Sequence, residues 1–95
     1  MITENICRMA DALLTLKNRE EMLSFLEDLC TIQELEAFIQ RLDVAKCLLD
    51  GKNYLDISKE VGVSTATISR VGKCIKYGDG GYKTVISRMS EEENK

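Results

Sequence analysis

The sequence predicts an all-α protein of about six helices, and three observations lead to that prediction. The 95-residue chain contains no proline, the residue that most strongly interrupts helices. Apolar residues recur at steps of three and four along most of the chain, and no segment shows the alternation typical of a strand. Polar residues that typically cap helices precede the first three of these segments.

The first half of the chain predicts three helices. Thr3 and Asn18 are each followed by an apolar helical pattern, ending near residue 16 and residue 29. Thr31 and Glu34 match the capping box, in which a hydroxyl and a carboxylate each satisfy a free backbone N–H. The long helix that begins there should end at Gly51. Its apolar stripe is wide, so we expect it to pack against a second copy of the chain as well as its own domain, although the core of a monomer would show the same pattern.

Two shorter helical patterns follow, at about residues 54–61 and 65–75. They are separated by a turn containing Gly62, which tolerates positive φ, and Ser58 is small enough to let the two helices approach. This arrangement predicts a helix-turn-helix at about residues 54–75. Its apolar positions, which should fill the space between the two helices and the body, are Ile57, Val61, Val63, Ile68 and Val71.

The end of the chain predicts one more helix. The Gly-Asp-Gly-Gly stretch at residues 78–81 is expected to be a flexible loop leading to a helix over residues 82–89. Residues 91–95 predict a frayed acidic tail. We therefore expect a single domain over residues 1–90.

Charge is distributed unevenly along the chain. The formal net charge is −3. Residues 1–50 carry five basic and ten acidic residues, a net −5, whereas residues 51–95 carry eight basic and six acidic residues, a net +2. No acidic residue lies between Ser64 and Tyr77. A locally basic segment within an acidic protein is compatible with binding to nucleic acid.

The outward positions of the second hairpin helix are small, hydroxylated or basic, so that face can enter a major groove. Thr65, Ala66 and Ser69 are placed to read bases, while the cations after them should contact phosphates. Tyr54 and Lys59 should clamp the flanking backbone, although Tyr54 could equally brace the hairpin. The helix-end position of Lys76 would favour a cation with or without DNA. The candidate DNA-binding residues are Tyr54, Lys59, Ser64, Thr65, Ala66, Ser69, Arg70, Lys73 and Lys76.

The segments RLDVAKCLLDG, LDISKEVGVSTATISRVGKCIK and YGDGGY resemble the Trp repressor family, in particular its Gram-positive members. The resemblance covers about residues 31–86. It implies an intertwined homodimer that presents two reading heads to successive major grooves. It also implies that double-stranded DNA with a near-palindromic operator is the partner. Half-site centres should lie about 10 base pairs, or roughly 34 Å, apart.

The resemblance also implies a ligand pocket, with Arg41, Thr67 and Arg70 at the positions that bind tryptophan in the family. The family glycine after the second arginine is replaced here by Val71. Asp28, Cys30 and Cys74 replace other family pocket residues. Because the Val71 side chain should fill the volume that the indole needs, we expect that tryptophan is not the corepressor. Arg41 is expected to pair with Asp28 or Asp43, or else to help hold a smaller anion.

Other classes of function fit the sequence less well. There is no histidine and no metal-ligand spacing among the four cysteines, so we expect no enzyme activity, cofactor or metal, and we expect buried, reduced thiols. No apolar run suits a membrane span or a signal peptide, so a cytoplasmic protein without a membrane partner is expected. The prediction is a DNA-binding transcriptional regulator, expected to repress. A helical protein-interaction module and a regulator with another small-molecule effector remain as alternatives.

Overall fold

A computed structural model describes residues 1–94, and all of their regular structure is helical. The prediction of an all-α fold is therefore confirmed for these residues. A single π-helical turn, Ser58–Gly62, continues the fourth helix. The helices are α1 Glu4–Leu14, α2 Arg19–Leu29, α3 Ile32–Leu49, α4 Tyr54–Ile57, α5 Thr65–Tyr77 and α6 Gly81–Glu93.

The three N-terminal caps lie where the sequence predicted them. The side chains of Thr3 and Asn18 accept hydrogen bonds from backbone N–H groups in the first turns of α1 and α2. Thr31 Oγ1 accepts a bond from Glu34 N at 3.1 Å, and Glu34 Oε1 accepts one from Thr31 N at 2.9 Å. The hydrogen bond that Glu34 accepts from the backbone N–H of Thr31 lowers the pKa of the glutamate, and the nearby Thr31 hydroxyl lowers it further. The capping box of α3 is thus confirmed.

The chain divides into two compact units, Met1–Leu35 and Glu36–Lys95. The first unit contains α1, α2 and the start of α3, and neither α1 nor α2 has a buried residue. Large apolar side chains such as Leu14, which is 81% exposed, face outward in this unit. The prediction of a single domain over residues 1–90 stays a prediction.

The core of the second unit fixes the helix-turn-helix against α3. Ile57 from α4 and Ile68 and Val71 from α5 pack on the C-terminal half of α3. Burying one such side chain contributes roughly 1.5–3 kcal/mol, so these few residues hold α5 in place. The buried residues in the described part of the chain are Val44, Ala45, Cys47, Ile57, Ile68 and Val71.

Two expectations about the end of the chain are wrong. The last helix continues past Met89 to Glu93, so the acidic residues 91–93 are helical rather than a frayed tail. Glutamate is a good helix former, and no helix-breaking residue follows Met89 before the C-cap at Asn94. The helix also begins at Gly81, which shortens the expected loop to residues 78–80. The end of the predicted tail, Lys95, lies outside the described residues.

The cysteines are less buried than the sequence suggested. Cys47 is buried, and burial raises the pKa of its thiol. Cys30 is half-buried, whereas Cys7 and Cys74 are exposed, so the expectation of buried thiols is wrong for these two. Their helices leave these positions facing outward. None of the helices within residues 1–94 combines the length and apolar character needed to cross a bilayer.

Candidate nucleic-acid interface

The turn of the helix-turn-helix is closed by Gly62 and Ser58. Gly62 has φ of +77°, a left-handed conformation that glycine adopts without steric cost. Ser58 Oγ donates a hydrogen bond to the carbonyl oxygen of Val63 at 2.7 Å. The sequence predicted both residues, but it assigned Ser58 a role through its size alone. The hydrogen bond gives Ser58 a second role, because it ties α4 to the residue that leads into α5.

The residues just before α4 form a helix cap and an ion pair. Asn53 Oδ1 accepts a hydrogen bond from Asp56 N at 2.9 Å and so starts the helix. Lys52 Nζ lies 2.7 Å and 2.9 Å from the two carboxylate oxygens of Glu60 in the π-helical turn. The hydrogen bond from Lys52 to Glu60 raises the pKa of the lysine. Sequence analysis did not find this pair, because the two residues meet only after the hairpin has folded.

The recognition helix α5 starts at a serine cap. Ser64 Oγ accepts a hydrogen bond from Thr67 N at 3.2 Å, and the two hydroxyl oxygens also lie 3.2 Å apart. Ser64 was predicted as a DNA contact, and its hydroxyl is engaged in holding the first turn of α5. Thr67 is half-buried at the edge of the exposed face.

The outward face of α5 combines short side chains with cations. Thr65, Ser69 and Lys73 follow one another at steps of four, which places them along one face of the helix. Ile68 and Val71 occupy the opposite face and are buried. No acidic residue lies on α5. The predicted residues Thr65, Ala66, Arg70, Lys73 and Lys76 are exposed, and Ser69 is half-buried.

The three cations of α5 differ in their surroundings. Lys76 Nζ lies 5.3 Å from the centre of the Tyr77 ring, so this cation is held against an aromatic face. Within residues 1–94, neither Arg70 nor Lys73 forms an ion pair. Their exposed charges are therefore available to a polyanion.

Tyr54 and Lys59, the predicted flanking contacts, are both exposed, at the start of α4 and in the π-helical turn. The Tyr54 hydroxyl reaches α5: a Cβ atom added to Gly72 would lie 3.2 Å from it. Sequence analysis missed Gly72. The signal that could have found it is a glycine in the middle of a helix, where glycine is disfavoured.

One of the predicted ligand residues, Arg41, lines a groove in the second unit. A groove of about 600 Å³ includes Arg41 but neither Thr67 nor Arg70. Arg41 does not pair with Asp43; its guanidinium carbon lies 5.2 Å from the centre of the Phe38 ring. The groove is lined by Phe38, Arg41, Leu42, Cys74, Ile75, Gly78, Asp79, Gly80, Gly81, Tyr82, Lys83 and Val85.

Val71 occupies the interior between the hairpin and α3. Its side chain is 1% exposed and packs with the buried residues of α3 and α4. Among the residues that the structure describes, no group of three or more histidine, cysteine or acidic side chains is arranged to hold a metal ion.

Comparisons with known proteins agree on one family. Residues 4–90 match the family described as Trp repressor protein. The Bacillus subtilis (strain 168) protein YerC, itself uncharacterized, is 46% identical over 83 residues, which cover 87% of this chain and 80% of YerC. A solved structure from Staphylococcus aureus, assigned provisionally as a Trp repressor, has a TM-score of 0.85 at 43% identity and covers 94% of this chain and 89% of its own. A TrpR-like protein from Eubacterium eligens ATCC 27750 also has a TM-score of 0.85 at 43% identity, covering 93% and 91% of the two chains.

Proposed function

The chain belongs to the Trp repressor family, and on that premise we propose that it is a sequence-specific DNA-binding regulator that acts as a homodimer and represses transcription. The family is one of DNA-binding regulators rather than enzymes. The observation that carries the proposal is the exposed face of α5, which bears cations and short side chains and no acid. The buried opposite face fixes this surface to the body of the protein.

The residues of this face have different roles in the proposal. Thr65, Ala66 and Ser69 read bases in the major groove, and their short side chains favour contacts made partly through water. Arg70 and Lys73 hold phosphates, because their charges are exposed and lack ion pairs among residues 1–94. Lys59 lies in the π-helical turn, and Ser64 and Lys76 lie at the two ends of α5. From these positions they reach the flanking DNA backbone, and Ser64 does so while it caps the helix.

The homodimer is supported by apolar surface that the chain leaves exposed. The first unit has no buried residue on α1 or α2. Phe38 and Ile39 of α3 are 48% and 57% exposed. Such side chains are costly to leave in water, and a second copy would cover them. Two copies would present two heads to a near-palindromic operator in the cytoplasm.

We further propose that tryptophan is not the corepressor. Val71 fills the space that a glycine would leave open, and the side chain is already packed on all sides. The groove that contains Arg41 favours a second version of this proposal, in which a different small anion modulates binding. Arg41 then supplies the positive charge, beside the apolar walls formed by Phe38 and Leu42.

The test is fluorescence anisotropy on random and selected duplexes at about 50 and 200 mM salt, with and without tryptophan. We expect saturable binding that weakens steeply with salt and does not respond to tryptophan. Arg70→Ala should weaken binding to all duplexes. It should also reduce the slope of log K against log salt by about one for each phosphate that the variant no longer neutralises.

The matched control is Arg88→Ala, which removes the same charge from α6 and should leave the salt slope unchanged. Equal losses in the two variants would mean that only net charge matters and that α5 is not the reading helix. Absence of binding to every duplex would favour a helical protein-interaction module, for which the acidic first half of the chain is suited.

A further inference from the structure

Gly72 lies in the middle of α5, and its backbone conformation does not require a glycine. The glycines with positive φ among the described residues are Gly51, Gly62 and Gly80, so Gly72 has a conformation open to any residue. Glycine is the least favourable helix residue after proline. An alanine at this position would favour the helix, and the reason for glycine must lie in what surrounds it.

The space beside Gly72 is occupied by the hydroxyl of Tyr54. A Cβ atom at position 72 would lie 3.2 Å from Tyr54 Oη and 3.7 Å from Leu48 Cδ1. The second distance is an ordinary van der Waals contact, but the first is tighter, so an added methyl group would push against the phenol. Because Gly72 has no side chain, it leaves the space that the end of the tyrosine side chain occupies.

The contact joins the start of α4 to the centre of the recognition helix. Tyr54 is the first residue of α4, directly after its cap Asn53. Gly72 lies two positions beyond Arg70, which places it on the far side of α5 from that arginine. Gly72 also lies seven positions beyond Thr65, so it sits close to that residue on the helix, at the border between the buried face and the row that contains Thr65. The phenol therefore contacts α5 at the edge of the proposed DNA surface and away from Arg70.

We propose that Tyr54 and Gly72 form a size-matched pair that sets the position of the recognition helix relative to α4. Tyr54 then acts on DNA affinity through Gly72, as a positioning residue, and not by donating a hydrogen bond to phosphate. This inference rests on the proposed function, because it concerns how the reading head of that function is held.

The test measures operator and random-duplex affinity for four variants beside the wild-type protein. Gly72→Ala should weaken operator binding roughly tenfold, because the methyl group displaces the phenol and tilts α5. Tyr54→Phe, which removes only the oxygen, should stay within about twofold of wild type. The double variant Gly72→Ala/Tyr54→Phe should recover to about the same level, because the methyl group then has the space that the oxygen held. Gly81→Ala is the control: its added Cβ meets nothing within 4 Å, so binding should not change.

Tyr54→Ala provides an independent measurement should Gly72→Ala fail to fold in circular dichroism. This variant removes the whole aromatic ring and should weaken operator binding roughly tenfold, whereas Tyr54→Phe keeps the ring. Loss of binding in Tyr54→Phe equal to that in Tyr54→Ala would overturn the inference, because the hydroxyl itself would then contact DNA. Wild-type affinity in Gly72→Ala would also overturn it. Failure of the wild-type protein to bind any duplex would instead remove the proposed function, and this inference with it.

Discussion

At the scale of single residues, Val71 carries the proposal that this chain does not bind tryptophan. The resemblance to the family aligns Val71 with a glycine that leaves room for tryptophan. In this chain the Val71 side chain is buried against α3 and α4. A hairpin helix held by protein atoms needs no ligand to reach its position. The reading head of this chain should therefore be assembled constitutively.

Tryptophan is expected to leave the thermal stability of the wild-type protein unchanged, because Val71 should fill its site. Val71→Ala should lower the free energy of unfolding by about 2 kcal/mol, since two buried methyl groups are removed and a cavity remains. Thermal unfolding with and without about 1 mM tryptophan checks the first outcome, and urea unfolding checks the second. Leucine serves as the control ligand, because it lacks the indole ring. A rise in Tm with tryptophan but not with leucine would show that Val71 does not close the pocket.

At the scale of the helices, caps and turns could be predicted from the sequence, whereas side-chain contacts between helices could not. The caps Thr3, Asn18 and Thr31 could be predicted because each bond joins residues three positions apart. The turn at Gly62 could also be predicted from the sequence, because a positive φ strongly favours glycine at that position.

Contacts between particular side chains could not be predicted from the sequence. The stacking of Arg41 on Phe38 and the approach of Tyr54 to Gly72 depend on side-chain rotamers or on the crossing of two helices. Periodicity indicates the buried face of a helix but not the partner of any one side chain. For the same reason the exposed face of α5 could be predicted, but not the partner of each of its side chains. The cap at Ser64 is a local bond between residues three positions apart, so the sequence did carry a signal for it, and the sequence analysis considered Ser64 only as a DNA contact.

The capping box of α3 should make helix stability depend on pH. Glu34 has a lowered pKa because it accepts bonds from Thr31, so its stabilising effect is complete above the ordinary glutamate pKa. That effect disappears as the pH falls through the lower pKa of the folded state. NMR titration of the Glu34 carboxyl group should give a pKa below the ordinary value in the wild-type protein, returning toward it in Thr31→Ala. An unshifted carboxyl group in the wild-type protein would contradict these hydrogen bonds.

At the scale of the whole molecule, the dominant feature is the number of large apolar side chains exposed to solvent. Among residues 1–94, six buried residues form the core of the second unit. The first unit has exposed leucines on both α1 and α2, including Leu14 and Leu23. A chain of this size buries too small a fraction of its surface for an ample core. Association of two copies, as proposed above, would bury this apolar surface and, by symmetry, would supply a second reading head.

The proposed homodimer leads to a prediction about operator spacing. Two heads fixed to one shared core should bind half-sites whose centres are about 10 base pairs apart, since one turn of DNA separates equivalent major grooves by roughly 34 Å. Inserting about 5 base pairs between the half-sites turns one of them to the opposite side of the duplex. Affinity should then fall to that of a single half-site.

Insertion of about 10 base pairs distinguishes a rigid dimer from a flexible one, because it restores the rotational phase but doubles the separation. A rigid core cannot span that distance, so binding should stay at the level of a single half-site. Sedimentation of the free protein provides the control, with an expected mass of two chains at micromolar concentration. Equal affinity at every spacing, together with the mass of one chain, would show that the heads act independently. The exposed apolar faces of α1, α2 and α3 would then need a partner other than a second copy.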